Sequence, residues 1–294
     1  MFDPKSDPPT TGKMVGVFCK ITVPSICTNV LAFLTGTINA VIAGRMNDPS
    51  KLAAVGLANV CHAVMVLSLM IGLNCAQETL TSQAFGAGNI RLCGIYLNRG
   101  RFILIAFFIP LALIPAIFAE DILLAIGQDS DVARLTHTQI WYGLPAIFCY
   151  AHYDLYKRWL ACMRITLVPM IAMIVATLLH LPLCLLFINV FDMDIRGLGL
   201  ASSVKDFVLL TTVMLYGNCS KDIRPALSMP DRETFRGWGE YLKVSLPSTA
   251  MICAEWWSFE TLTVIAGILG VNQQASQVII FSVSVIVYMA PLGI

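Results

Sequence analysis

Charge is what this chain has least of. Only 13% of its 294 residues are Asp, Glu, Lys or Arg, where a soluble domain carries about a quarter. The net charge is +1, so no bulk electrostatic attraction for nucleic acid exists. No Cys-x-x-Cys pair occurs among the ten cysteines and no metal-site spacing is present, which excludes a zinc module or a redox pair. The cysteines read as small apolar packing residues. No cleavable signal peptide is expected from the opening residues either. The first dozen residues, MFDPKSDPPTTG, are polar and proline-rich and read as a short disordered tail. The apolar segments carry no Ser/His, paired-Asp or metal-ligand word, so neither an intramembrane enzyme nor a cofactor is indicated.

What is abundant is apolar sequence. Hydrophobic residues make up 57% of the chain, gathered in runs of about 20 or more, the length a helix needs to cross a bilayer. Runs and charged breaks predict eight helices, at 16–44, 52–73, 102–119, 132–156, 167–191, 197–217, 239–270 and 275–294. The second is expected to continue through QETLTSQAFGAG until Gly86 and Gly88 end it. The fold class is therefore all-α, a polytopic transmembrane helical bundle. Connections are short except for 218–238, NCSKDIRPALSMPDRETFRGW, the only stretch long enough to link two halves.

Lys and Arg set the orientation. With the N-terminus in the cytoplasm, the inner segments hold Lys5, Lys13, Lys20, Arg91, Arg99, Arg101, Lys157, Arg158, Arg164, Lys221, Arg224, Arg232, Arg236 and Lys243. The outer ends hold only Arg45, Lys51, Arg134 and Arg196. That asymmetry fits the positive-inside rule and supports the helix count, since a miscounted span would scramble the alternation.

A repeat is visible at one offset. Shifting the chain by 223 residues lays Pro24-Ser25 on Pro247-Ser248 and Val41-Ile42-Ala43-Gly44 on Val264-Ile265-Ala266-Gly267. Parallel repeats joined by a long loop are a transporter architecture, with substrate held between the halves. The expected organisation is a cytoplasmic tail (1–15), a six-helix first lobe (16–217), a cytoplasmic inter-lobe linker (218–238) and two helices of a second lobe (239–294). Helix eight closes on VYMAPLGI without a polar flank, so a second lobe cut short is expected.

Two acids stand out inside helix seven, Glu255 and Glu260 of AEWWSFETLTVIAG. A carboxylate in hydrocarbon costs several kcal/mol, about 2.5 or more on the gentlest insertion scale. Such a group tends to be neutral when dry and ionised when water or a cation reaches it, the behaviour a proton-coupled exchanger needs. Five residues turn a helix by about 500°, so the two acids lie roughly 140° apart and cannot face one point. Glu255 lies about 18 Å by helical rise from Lys243, close to the midplane. Trp256, Trp257 and Phe259 could hold an organic cation against their faces, or simply pack.

Other polar residues in the helices carry blander expectations. Lys205 and Asp206 are neighbours, which on a helix do not face each other, so each is expected to find a partner elsewhere or to snorkel. His152 and Asp154 lie near the inner end of helix four, where water is expected to reach. His180 reads as a hydrogen-bonded core histidine that could titrate. Pro110 and Pro115 are expected to interrupt helix three, and Pro24 and Pro247 to bend helices one and seven.

At EWWSFE, QETLTSQAFGAGN, GIYLNRG and VYMAPLGI the chain resembles the multidrug and toxic compound extrusion (MATE) transporters, eukaryotic branch, from about Ile21 to Ile294. The resemblance implies two six-helix lobes, monomeric when full length, that export organic cations in exchange for protons, from a plasma or vacuolar/vesicular membrane. It also implies that Glu255 is the essential second-lobe carboxylate and Glu260 its companion. Some family members carry a first-lobe aspartate in helix one, where this chain has Asn39, which argues against a first-lobe cation site there. Two rivals fit the same helices: a receptor-like bundle that does not transport, and an inactive fragment of a transporter.

Overall fold

A computed structural model of the chain describes residues 11–46, 48–221, 223–227 and 229–269, together with 280, 284–285, 287–288 and 291. Among these residues every regular element is helical. The long helices are α1 (Thr11–Gly44), α2 (Pro49–Gly86), α3 (Ile90–Ala125), α4 (Ser130–Cys162), α5 (Leu167–Val190), α6 (Ile195–Cys219) and α7 (Trp238–Leu269). Most of the expected eighth helix lies outside the described residues.

Local chemistry explains where the helices begin and end. Asp48 caps α2 by accepting from the Ser50 N–H, with Pro49 in the first turn, where its missing N–H costs nothing. Asn89 accepts from Leu92 N at 3.1 Å, and Asp129 accepts from Asp131 N at 2.9 Å. Gly88 and Gly127, at φ +73° and +84°, supply the left-handed residues that stop α2 and α3. The Asn89 cap corrects the expectation for helix three. The charged segment read as an inner loop before residue 102 is three further helical turns, starting at Ile90. Nor do Pro110 and Pro115 interrupt it, for α3 continues through both.

Among the described residues five helices, α1, α2, α3, α5 and α6, are long and apolar enough to cross a membrane, yet the most apolar stretch of each is less than half buried. Ile109, Leu113, Ile117, Leu178, Leu181 and Phe207 all point outward, Leu178 at 71% exposure. Such a surface would aggregate in water; hydrocarbon is its natural solvent, and the chain is a multi-pass integral membrane protein. α4 and α7 fall outside that set, and α4 is the central helix. It packs against α2, α3 and α6 and buries Tyr153, Asp154 and Trp159, with the Trp159 indole donating to Cys93 O at 3.0 Å.

Between the helices, small residues permit close approach, as expected where lipid removes the hydrophobic drive for association. A Cβ at Gly199 of α6 would fall 2.7 Å from the Tyr142 Cβ of α4. α7 lies along the second half of α2 through a stripe spaced by four, Tyr241, Ser245, Thr249 and Cys253, all buried. Gly72 of α2 sits directly against Thr249, and the Cys253 thiol donates to Ser68 Oγ at 3.7 Å. α1 and α7 share one local feature at the 223-residue offset. After each proline a serine hydroxyl bonds back one turn, Ser25 to Ile21 O at 3.0 Å and Ser248 to Val244 O at 3.1 Å. All ten cysteines are free.

The segment before α7 is fastened to α3. Asp231 closes a capping box with Thr234 and pairs with Arg91 at 3.1 Å. Arg99 donates to Glu233 O at 3.0 Å, and the rings of Phe102 and Phe235 lie 4.9 Å apart. Asp231 stays below the usual carboxylate range: slight desolvation pushes it up, and the Thr234 N–H, the Thr234 hydroxyl and Arg91 outweigh it.

Candidate functional site

The stripe that buries α7 against α2 also decides where the two acids point. With 100° per residue, Glu255 lies about 160° from Trp257 and so faces away from α2, whereas Glu260 lies only about 60° from that face. Both are half-buried. Tyr288, 42% exposed, lies within electrostatic reach of the Glu255 carboxylate. Composition alone did not single out this tyrosine. Its only sequence signal is a polar-tipped ring in the otherwise apolar run VIVYMAPLGI, because nearness to a residue far along the chain leaves no periodic trace.

The aromatic residues divide. Trp256 is half-buried, while Trp257 and Phe259 are 43% and 40% exposed. The Trp257 indole N–H donates to Val64 O at 3.2 Å. Val64 belongs to the π-helical turn Ala63–Leu67 inside α2, where the widened winding displaces carbonyls from the regular ladder. The same oxygen accepts from the Ser68 hydroxyl at 3.0 Å. Trp257 therefore ties α7 to a defect in α2, in addition to any contact with a ligand.

A second polar centre, built on an aspartate for which the sequence suggested only a wetted helix end, joins α2 to α4. Asp154 is 2% exposed, not wetted at a helix end as expected, because α2 packs over it through Asn74; His152 is buried too, at 7%. Lys157 and Arg158, three and four residues on, reach Asp154 at 3.0 and 2.8 Å. Asn74 of α2 donates to Asp154 Oδ2 at 3.0 Å and to Ala151 O at 2.9 Å. Arg158 extends to Glu78 of α2 at 2.9 Å. The QET word of the sequence thus contributes its glutamate to a buried clamp at the end of the bundle that also holds the Arg91–Asp231 pair.

The third centre is inside the six-helix bundle. His180 of α5 is fully buried and donates from Nε2 to Asn39 Oδ1 of α1 at 2.8 Å, and Asn39 Nδ2 donates to Ser202 Oγ of α6 at 3.1 Å. That agrees with a hydrogen-bonded core histidine. Beside it, Lys205 and Asp206 correct the expectation of separate partners: Lys205 Nζ meets Asp206 Oδ1 at 2.7 Å. The 100° between neighbouring Cα positions governs short side chains, and lysine's four-carbon stem is long enough to bend across it.

Comparison with known proteins places these features in a family. The MatE family model matches residues 24–186, more than half of the chain. Over 273 residues the chain is 31% identical to Multidrug and toxin extrusion protein 1 of Oryctolagus cuniculus, covering 92% of this chain and 47% of the relative. With the protein of the same name from Homo sapiens it shares 30% over 272 residues, at the same coverage. The chain thus spans about half the length of the curated relatives it matches. Among solved structures, the eukaryotic MATE transporter AtDTX14 superposes with a TM-score of 0.88 at 27% identity, over 96% of this chain and 63% of that one. The Vibrio cholerae transporter VcmN, in its bent form, shares the fold at a TM-score of 0.82 and 18% identity, over 96% and 64%. The helices, their order and the matched residues agree: the chain belongs to the MatE family.

Proposed function

We propose that the protein is a secondary active transporter that exports organic cations and other xenobiotics in exchange for protons. The observation that carries this is the position of Glu255, an acid half-buried in the middle of the long apolar helix α7, turned away from α2 and within electrostatic reach of Tyr288. A carboxylate there is stable with a proton, with a hydrogen-bond donor or with a cation beside it, and costly with none of these. Loading a cation therefore favours loss of the proton, and regaining the proton favours release of the cation. Glu260 assists from the edge of the α2 interface, and Trp256, Trp257 and Phe259 offer π-faces to the cation.

The relatives named multidrug and toxin extrusion proteins support the reading, and the 223-residue repeat fits two lobes around one site, with residues 16–217 as the first and 239–294 the start of the second. The Lys and Arg asymmetry favours a cytoplasmic N-terminus, with the protein in a plasma or vacuolar/vesicular membrane and acting as a monomer. Glu255→Gln keeps size and hydrogen bonding while removing the titratable charge. In vesicles with an imposed pH gradient, its flux of a fluorescent organic cation is expected to fall to that of protein-free vesicles, with membrane insertion unchanged. Undiminished pH-driven flux would overturn the proposal.

A further inference from the structure

The first half of α3 holds the three arginines of that helix, and their surroundings differ. Arg91 pairs with Asp231 and Glu233 at 3.1 and 3.7 Å. Arg99 is 7% exposed and donates to Glu233 O, in the segment before α7, at 3.0 Å. Arg101 donates from Nη1 to Asn98 Oδ1 at 2.8 Å, and its guanidinium carbon lies 4.5 Å from the centre of the Tyr156 ring of α4. Its Nε is buried without a partner. Among the described residues no carboxylate forms an ion pair with Arg101, whereas Lys157 and Arg158 of α4 share Asp154. An amide oxygen and a π-face orient a guanidinium, but neither carries the full negative charge that neutralises one.

The position of Arg101 along α3 is equally specific. After it, Phe102 to Ala119 run for 18 residues without a charge, and Glu120 follows. At 1.5 Å per residue that run spans about 27 Å, close to the ~30 Å thickness of a hydrocarbon core. Arg101 therefore marks one edge of the apolar layer, the level at which phospholipid phosphates lie. Ile105 and Ile109, four and eight residues on, are 38% and 56% exposed, while Ile103 and Leu104 are buried. Residues four apart form one ridge of a helix, so the half-buried Arg101 stands at the foot of a ridge that faces acyl chains.

We propose that Arg101 binds the headgroup phosphate of an anionic phospholipid whose acyl chain lies along Ile105 and Ile109. No counter-charge reaches the guanidinium from inside the bundle, so its terminal nitrogens take one from the leaflet. The planar fork of arginine matches two phosphate oxygens, and basic groups between membrane helices at this depth recognise anionic lipids by the same chemistry. The exposed apolar ridge selects a lipid over a soluble phosphate, which has nothing to lay there. The inference goes beyond the export proposal and does not rest on Glu255.

A tryptophan on the ridge reports which lipid lies beside it. The full chain carrying Ile105→Trp is reconstituted into phosphatidylcholine vesicles in which a minor fraction of the lipid is brominated phosphatidylglycerol or, in a parallel sample, brominated phosphatidylcholine. Bromine quenches tryptophan fluorescence on contact. The emission added by I105W is expected to be quenched several-fold more strongly by the brominated phosphatidylglycerol. Arg101→Gln in that background should erase the preference, and Arg236→Gln, an equal loss of charge at an exposed site, should leave it. Ile122→Trp, 41% exposed near the other end of α3, should show no preference, and this comparison decides the matter if R101Q does not insert. A preference that survives Arg101→Gln, or equal preference at 105 and 122, would overturn the proposal. So would loss of the preference in inorganic phosphate but not in chloride of equal ionic strength, which would give the site to a soluble anion.

Discussion

Replacing Asp154 by alanine is expected to cost about 3–5 kcal/mol, the scale for removing one partner of a buried ion pair. Asp154 is 2% exposed and neutralises Lys157 and Arg158 at 3.0 and 2.8 Å. Without it Arg158, whose side chain is 16% exposed, keeps Glu78 and the weak acceptor Cys75 Sγ, and Asn74 Nδ2 loses one of its two acceptors. Glu78→Ala is the internal control. Its side chain is 53% exposed, so solvent compensates both charges and the loss should stay within about 1 kcal/mol. Denaturant unfolding of both variants in detergent, followed by tryptophan fluorescence, measures the difference. Equal losses would mean that Asp154 is solvated in the native bundle and that the clamp does not exist.

Gly72→Val should separate α7 from α2. A Cβ at position 72 would fall 2.8 Å from both Cβ and Oγ1 of Thr249, below any real contact, and the obstacle is α7 itself and not the tip of a movable side chain. Overpacking of this kind costs about 1–3 kcal/mol in ordinary cores. Here the larger effect is geometric, because displacing α7 also removes the Cys253–Ser68 contact at 3.7 Å and the Trp257–Val64 bond at 3.2 Å. A cysteine at Ser68 reads this out. In the presence of mild oxidant S68C is expected to form a disulfide with Cys253, and G72V in that background should suppress it several-fold, since bridging requires Cβ atoms about 3.5–4.5 Å apart. Unchanged cross-linking would show that the two helices tolerate the bulk.

How much could be seen in advance follows a physical division. Helix positions follow from apolar runs and caps because both are local. The continuation of α2 to Gly86 was legible in its glycines, whereas the start of α3 was hidden by Arg91, Arg99 and Arg101, which resemble a loop until Asn89 is known to cap the helix. Glu255 stands out in the sequence because an acid in an apolar run is conspicuous in any register; Tyr288, near it in the structure, carries no such mark. Asp154 resembled a wetted helix end, and the packing of α2 over it makes it a buried anchor. His180 needed no tertiary information to be read as a hydrogen-bonded core residue, although Asn39 as its acceptor did.

The proposed transport turns on one exchange, a proton on Glu255 against a bound organic cation. The direct measurement is proton release from the purified protein in weakly buffered detergent solution, followed with a pH-sensitive dye as tetraethylammonium is added. The wild-type protein should release a proton for each cation bound, and Glu255→Gln should bind weakly and release none. Saturable cation binding by the wild type with no change in proton content, or the same release from Glu255→Gln, would contradict it.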